Sequence, residues 1–143
     1  MDIKEKAELL LKHFKEWSEQ QEYIKGVAVV GSFARGDFHS NSDVDLTIIS
    51  TNKDLTLERI KKDFNFDTVE SSKVEVWGIL TSLRNFYSNG FEVEYGVVSD
   101  QWVKEPLDAG TKNVVKNGFM VVVEKEAIFS SIRMFLNSMK PYS

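Results

Sequence analysis

Two aspartates, Asp43 and Asp45, stand either side of a valine at the head of the apolar run Val44-Asp45-Leu46-Thr47-Ile48-Ile49. The run reads as a strand, and carboxylates two residues apart on a strand point to the same face. Like charges held that close raise each other's pKa unless a cation lies between them. A hard divalent ion with oxygen ligands, Mg2+ above all, resolves the conflict. It keeps several waters and takes further ligands from phosphates, so one or two carboxylates are enough on the protein side. Upstream, Gly31-Ser32 closes the valine-rich run Val27-Ala28-Val29-Val30. Glycine at a strand end opens backbone conformations closed to other residues and lets a phosphate approach the chain. N–H groups at such a turn make an anion-binding concavity, and the Ser32 hydroxyl adds a donor. Donors to phosphate on one element and carboxylates for a phosphate-bridging metal on the next make a triphosphate–metal site.

Several elements must hold these residues in place. Ile3, Ala7, Leu10, Phe14 and Trp17 recur at spacings of three and four, which predicts an amphipathic helix ending near Gln20. Residues 23–30 read as a buried strand stopping at the Gly31-Ser32 turn, and residues 44–49 as a second strand after the turn formers Asn41-Ser42-Asp43. Residues 54–64 fit a second long helix, capped from within residues 51–54. Residues 73–80 and 91–98 alternate like strands, with the turn signal Asn89-Gly90 before the latter, and residues 83–87 between them read as a helical turn. A short helix is expected from about Thr111, a last strand over 119–123, and a C-terminal helix over 128–139 that Pro141 ends. The expectation is an α+β, or mixed α/β, domain: a central mixed sheet flanked by helices, with residues 1–143 forming a single domain.

Composition narrows the partners. The 143 residues carry a net charge of −4 and no cysteine, so there is no disulfide framework and no thiolate metal site. Duplex nucleic acid needs a basic face that this chain does not supply. No apolar run approaches the roughly 18 residues of a membrane span, and the charged N-terminus does not read as a signal peptide. The expectation is a cytoplasmic protein without a membrane or duplex partner.

Gly31-Ser32, ten residues, then Asp43-Val44-Asp45 resembles the signature of the polymerase-β-like nucleotidyltransferase superfamily. Phe33-Ala34-Arg35-Gly36 matches the extension that often follows the Gly-Ser pair, and the preceding helix also fits. More softly, Asp108-Ala109-Gly110-Thr111 with Val114-Val115 and Asn117-Gly118-Phe119 is similar to a stretch of small bacterial nucleotidyltransferases of the antibiotic-modifying type. Together the similarities cover roughly residues 20–125. The resemblance implies a nucleotidyltransferase fold and transfer of a nucleoside monophosphate, AMP from ATP first, to a hydroxyl of a small acceptor with release of pyrophosphate. It implies two Mg2+ ions held by Asp43 and Asp45 with a third carboxylate on a later strand. Glu94 is the preferred third carboxylate because Val93-Glu94-Tyr95-Gly96 resembles the family's third motif; Glu92 and Glu75 are the alternatives. Glu94 would complete a metal site or take the acceptor's proton. Gly31 and Ser32 would hold the outer phosphates, and Arg35 would either join them or form a structural ion pair. Two other readings stand beside this one: a minimal nucleotidyltransferase antitoxin acting on or binding a partner protein, and a degenerate nucleotide-binding module. A second subunit or a helical protein partner could complete the acceptor site.

Overall fold

The computed structural model describes residues 2–39, 43–64 and 66–140. Helix α1 (Ile3–Glu19) begins at Asp2, whose carboxylate accepts from the Glu5 N–H at 2.8 Å. An N-cap acceptor satisfies a donor that no helical carbonyl can reach. Its inner face buries Ala7, Leu10, Phe14 and Ser18, and the Ser18 hydroxyl donates to the Phe14 carbonyl at 2.6 Å, so the polar atom is not stranded. Strand β1 (Ile24–Val30), the single-turn helix α2 (Ser32–Arg35) and strand β2 (Val44–Ser50) follow. The Asn41-Ser42 turn expected before β2 lies outside the described residues, as does Pro141. Helix α3 (Lys53–Asp63) starts at Asn52, whose side chain accepts from the Leu55 N–H at 3.1 Å.

The next segment departs from the sequence expectation. Strand β3 spans Val69–Trp77 and strand β4 spans Leu80–Tyr87, where a helical turn was expected over 83–87. The two strands form an antiparallel hairpin in which Trp77 faces Leu80 and Lys73 faces Arg84. The cause is Gly78, at φ 61° in the two-residue loop between them. Tight hairpin loops need positive φ, which glycine alone takes without steric cost. Within β4, Leu83, Asn85 and Tyr87 are buried on one face, an alternation that a one-turn reading of five residues hides.

Strand β5 (Glu92–Val98), a 3-10 turn (Asp100–Val103), helix α4 (Ala109–Lys116), strand β6 (Phe119–Glu124) and helix α5 (Ser130–Ser138) complete the chain. The six strands form one sheet in the order β3-β4-β5-β2-β1-β6, with β2 and β5 parallel and every other neighbouring pair antiparallel. This is the mixed sheet flanked by helices that the hydrophobic pattern implied.

Alternation along the strands divides the core in two. One face carries Leu46, Ile48, Tyr95 and Val97 under α1 and α3, where Phe14, Phe64 and Tyr95 pack with ring centroids 5.0 to 6.3 Å apart. The Tyr87 and Tyr95 hydroxyls hydrogen-bond at 2.7 Å in this core. The other face carries Ala28, Ile49 and Val98 under the 3-10 turn, α4 and α5, with Trp102, Val115, Phe129 and Ile132. Among the described residues no helix is long and apolar enough to cross a membrane.

Candidate active site

The second face is covered only at one end. At the other end, where β2 and β5 begin, strand register sets three side chains in a row. Val30 of β1 pairs with Asp45 of β2, Asp45 lies beside Glu94 of the parallel β5, and Glu94 lies opposite Arg84 of β4. Asp43, just before β2, falls on the same face as Asp45 by the two-residue period. One carboxylate oxygen each from Asp43, Asp45 and Glu94 lies within 4.8 Å of the others, and all three residues are half-buried. These strands belong together because their other face, Val44, Leu46, Val93 and the ring of Tyr95, is buried.

Gly31 abuts this cluster. Its backbone sits at φ 78°, and a Cβ there would come within 2.9 Å of Asp45 Oδ2. Only glycine lets the end of β1 turn so close to the acid row. Ser32 opens α2 directly after it, and its carbonyl accepts from the N–H groups of Gly36 and Asp37, which closes the turn. Arg35 is engaged elsewhere: its Nε pairs with Asp37 at 3.0 Å and its Nη1 donates to the Asn117 carbonyl at 2.7 Å, tying α2 to the segment that enters β6.

Of the alternative third carboxylates, Glu92 shares the face of Glu94 but stands outside the triple, and Glu75 sits on the outer strand β3, 3.5 Å from Lys73. The residue that sequence reasoning missed is Arg84. Its Nη1 donates to Asp43 at 2.8 Å and to Glu92 at 2.5 Å, and its Nη2 donates to Glu94. It stands on β4, over whose residues 83–87 the sequence predicts a helical turn. The available signal was the alternation Leu83, Asn85, Tyr87 against Ser82, Arg84, Phe86.

Electrostatics follow from this crowding. Burial, and after it the charges of Asp43 and Glu94, push the Asp45 carboxyl up to about 7, with Arg84 pulling in the opposite direction. Burial works against the Arg84 charge, but hydrogen bonds to Glu92 and Asp43 and the fields of Glu94 and Glu92 outweigh it and raise its pKa. Three hard oxygen donors gathered within 4.8 Å of one another form a set that fits a divalent cation.

A cavity of about 280 Å³ is lined by Asp43, Asp45, Thr47, Arg84 and Glu94. It shares Leu80, Trp102 and Val114 with a second cavity of about 280 Å³ that reaches Trp77, Asp108 and Thr111. A larger cavity of about 420 Å³ at the opposite end of the sheet, between Lys25, Thr51 and Lys125, holds none of the acid row. The largest cavity, about 530 Å³ between Asp2, Lys4, Phe33 and Phe38, holds none of it either, so the donor set and not volume locates the site.

The glycine turn at the end of β1 and the paired aspartates at the head of β2 thus meet on one mixed sheet. The chain belongs to the nucleotidyltransferase domain family, whose model matches residues 10–121. Among solved structures, the chain is similar to an aminoglycoside 6-adenyltransferase from Bacillus subtilis at 13% identity and a TM-score of 0.45, over 63% of this chain and 34% of that one. The chain thus spans about a third of the length of that enzyme. No curated protein matches it by sequence.

Proposed function

We propose that the chain moves a nucleoside monophosphate, AMP from ATP first, to a hydroxyl acceptor and releases pyrophosphate. The observation that carries this reading is the meeting of Asp43, Asp45 and Glu94 within 4.8 Å, against the Gly31 turn. Asp43 and Asp45 would hold two Mg2+ ions, with Glu94 completing the set or acting as base. Bound there, the metals would supply charge stabilisation to the attacking and leaving oxygens of an in-line displacement. The Gly31 backbone and the Ser32 hydroxyl hold the outer phosphates and so fix the direction in which pyrophosphate departs. In the transfer, the acceptor oxygen bonds to the α-phosphorus as the α–β bridging bond breaks, and the acceptor proton passes to a carboxylate, Glu94 by preference. Glu94 is suited to that because it faces the same cavity as the aspartates. The adjoining cavity edged by Trp77, Leu80, Trp102 and Val114 offers flat apolar surface for the base or the acceptor.

The deciding experiment incubates the chain with Mg2+, a panel of hydroxyl acceptors and ATP labelled at either the α- or the γ-phosphate. Transfer of the α label and release of the γ label in pyrophosphate are expected. Transfer of the γ label instead would identify a kinase and remove the proposal.

A second reading is favoured by the outer hairpin. Val74, Val76, Trp77 and Ile79 are exposed along β3 and its turn, with Val76 69% and Trp77 64% accessible. An apolar edge of that kind suits a protein partner, as expected of a minimal nucleotidyltransferase antitoxin that modifies or binds its toxin. Under that reading the α label appears on a protein hydroxyl in place of a small molecule.

A further inference from the structure

The guanidinium of Arg84 bonds two of the carboxylates that the proposed function gives to metal, Asp43 and Glu94. Its fork spans the acid row: Nη1 reaches Asp43 and Glu92, and Nη2 reaches Glu94. Its side chain is only 26% exposed, and it lines the cavity of the aspartates. We propose, resting on the reading above, that Arg84 is a resident counter-cation that keeps the carboxylates closed to free metal until the phosphates of a nucleotide draw it off. Metal and nucleotide then enter together.

The argument is one of competing donors and acceptors. A divalent ion needs carboxylate lone pairs at close range, and Arg84 already engages one oxygen each of Asp43 and Glu94 in charge-assisted bonds. Free metal must break at least one of these contacts and leave a half-buried guanidinium facing a dication of the same sign. A metal-bound triphosphate lifts that penalty because its oxygens offer the guanidinium the planar, bidentate partner it prefers. Glu92 gives the movement a pivot. It bonds Arg84 Nη1 but stands outside the acid triple, so the arginine can release Asp43 and Glu94 and remain tethered beside them. Arg84 is therefore a residue that selects for a polyphosphate-bearing metal, and its place on β4, opposite Glu94, puts it within reach of whatever binds there.

The test has two arms. In the first, free Mn2+ is titrated without nucleotide into wild type, Arg84→Met and Lys73→Met. Lys73 faces Arg84 across the hairpin but pairs with Glu75. Arg84→Met is expected to bind free Mn2+ about tenfold more tightly than wild type, the equivalent of one charge-assisted bond removed, and Lys73→Met to match wild type. Equal gains in both variants would reduce the effect to general field and overturn the proposal, as would no gain in Arg84→Met. Should Arg84→Met not fold, the second arm uses wild type alone, following the arginine side-chain nitrogen resonances by NMR. The Arg84 signals are expected to persist on adding Mg2+ and to shift on adding Mg2+ with a non-hydrolysable ATP analogue. Shift with Mg2+ alone overturns the latch, as does no shift of Arg84 while backbone signals around Gly31 report bound analogue. Absence of any analogue binding in wild type and variant alike would instead remove the functional reading on which this proposal stands.

Discussion

The two faces of one sheet are built from the same strands to opposite ends. Under α1 and α3, Leu46, Ile48, Val93 and Tyr95 are sealed from solvent, and rings of Phe14 and Phe64 close over Tyr95. One residue along in each strand, Asp45 and Glu94 turn to the other face, which the 3-10 turn, α4 and α5 cover only over its Ala28, Ile49 and Val98 end. The closed face supplies the energy that holds β2 against β5 in register. The open end accepts like charges at close range, an arrangement that burial of apolar surface elsewhere must sustain. Stability and chemistry are thus divided between faces, and substitutions should sort by face.

The largest effect is expected from Asp45→Asn. Nucleotide transfer should fall by about 10³-fold, as on losing a principal transition-state contact, while the metal-free protein at pH 8 melts no lower than wild type because a crowded charge is gone. A lower melting temperature would mean that Asp45 holds the fold together. On the closed face Phe14→Ala should do the reverse, costing about 3–5 kcal/mol in denaturant unfolding with turnover per folded molecule unchanged.

The pH dependence of stability separates the faces again. The folded chain holds the Asp45 proton up to about 7, whereas an unfolded carboxyl releases it near about 4. Between those values the folded state binds the extra proton, so metal-free stability falls as pH rises through this window and levels off above it. Asp45→Asn should flatten that slope, and a wild-type profile that rises across the window would contradict the crowding. Gly31→Ala, forced into positive φ with its methyl against Asp45, should cost about 1–3 kcal/mol and weaken nucleotide binding. The smallest change belongs to Ser32→Ala, which should weaken triphosphate binding more than monophosphate binding in parallel titrations; equal losses would take Ser32 out of the phosphate site.

Much of this division was legible in the chain itself. Asp43, Asp45 and Gly31 lie within fifteen residues of each other, and the two-residue period alone puts the aspartates on one face. The apolar stripe of α1 and the Asn89-Gly90 turn were equally local, and Gly90 does sit at φ 84° between β4 and β5. What local pattern could not decide was register. Glu92 and Glu94 share a face, and only the parallel pairing of β2 with β5 sets Glu94 beside Asp45. Arg84 was hidden for a related reason. Its strand is specified by Gly78 and by pairing with β3 and β5, not by a strong apolar run. The expectation that Glu75 could serve as third carboxylate has the same origin, since nothing in the sequence says that β4 lies between it and β5.

The central claim, a triphosphate–metal site on the open face, is tested most directly by isothermal titration of the four nucleoside triphosphates into wild type and Asp45→Asn, with Mg2+ and with a chelator. The account predicts binding to wild type, ATP foremost, that disappears with the chelator and in Asp45→Asn. Binding that survives both would place the nucleotide away from the acid row and contradict the account.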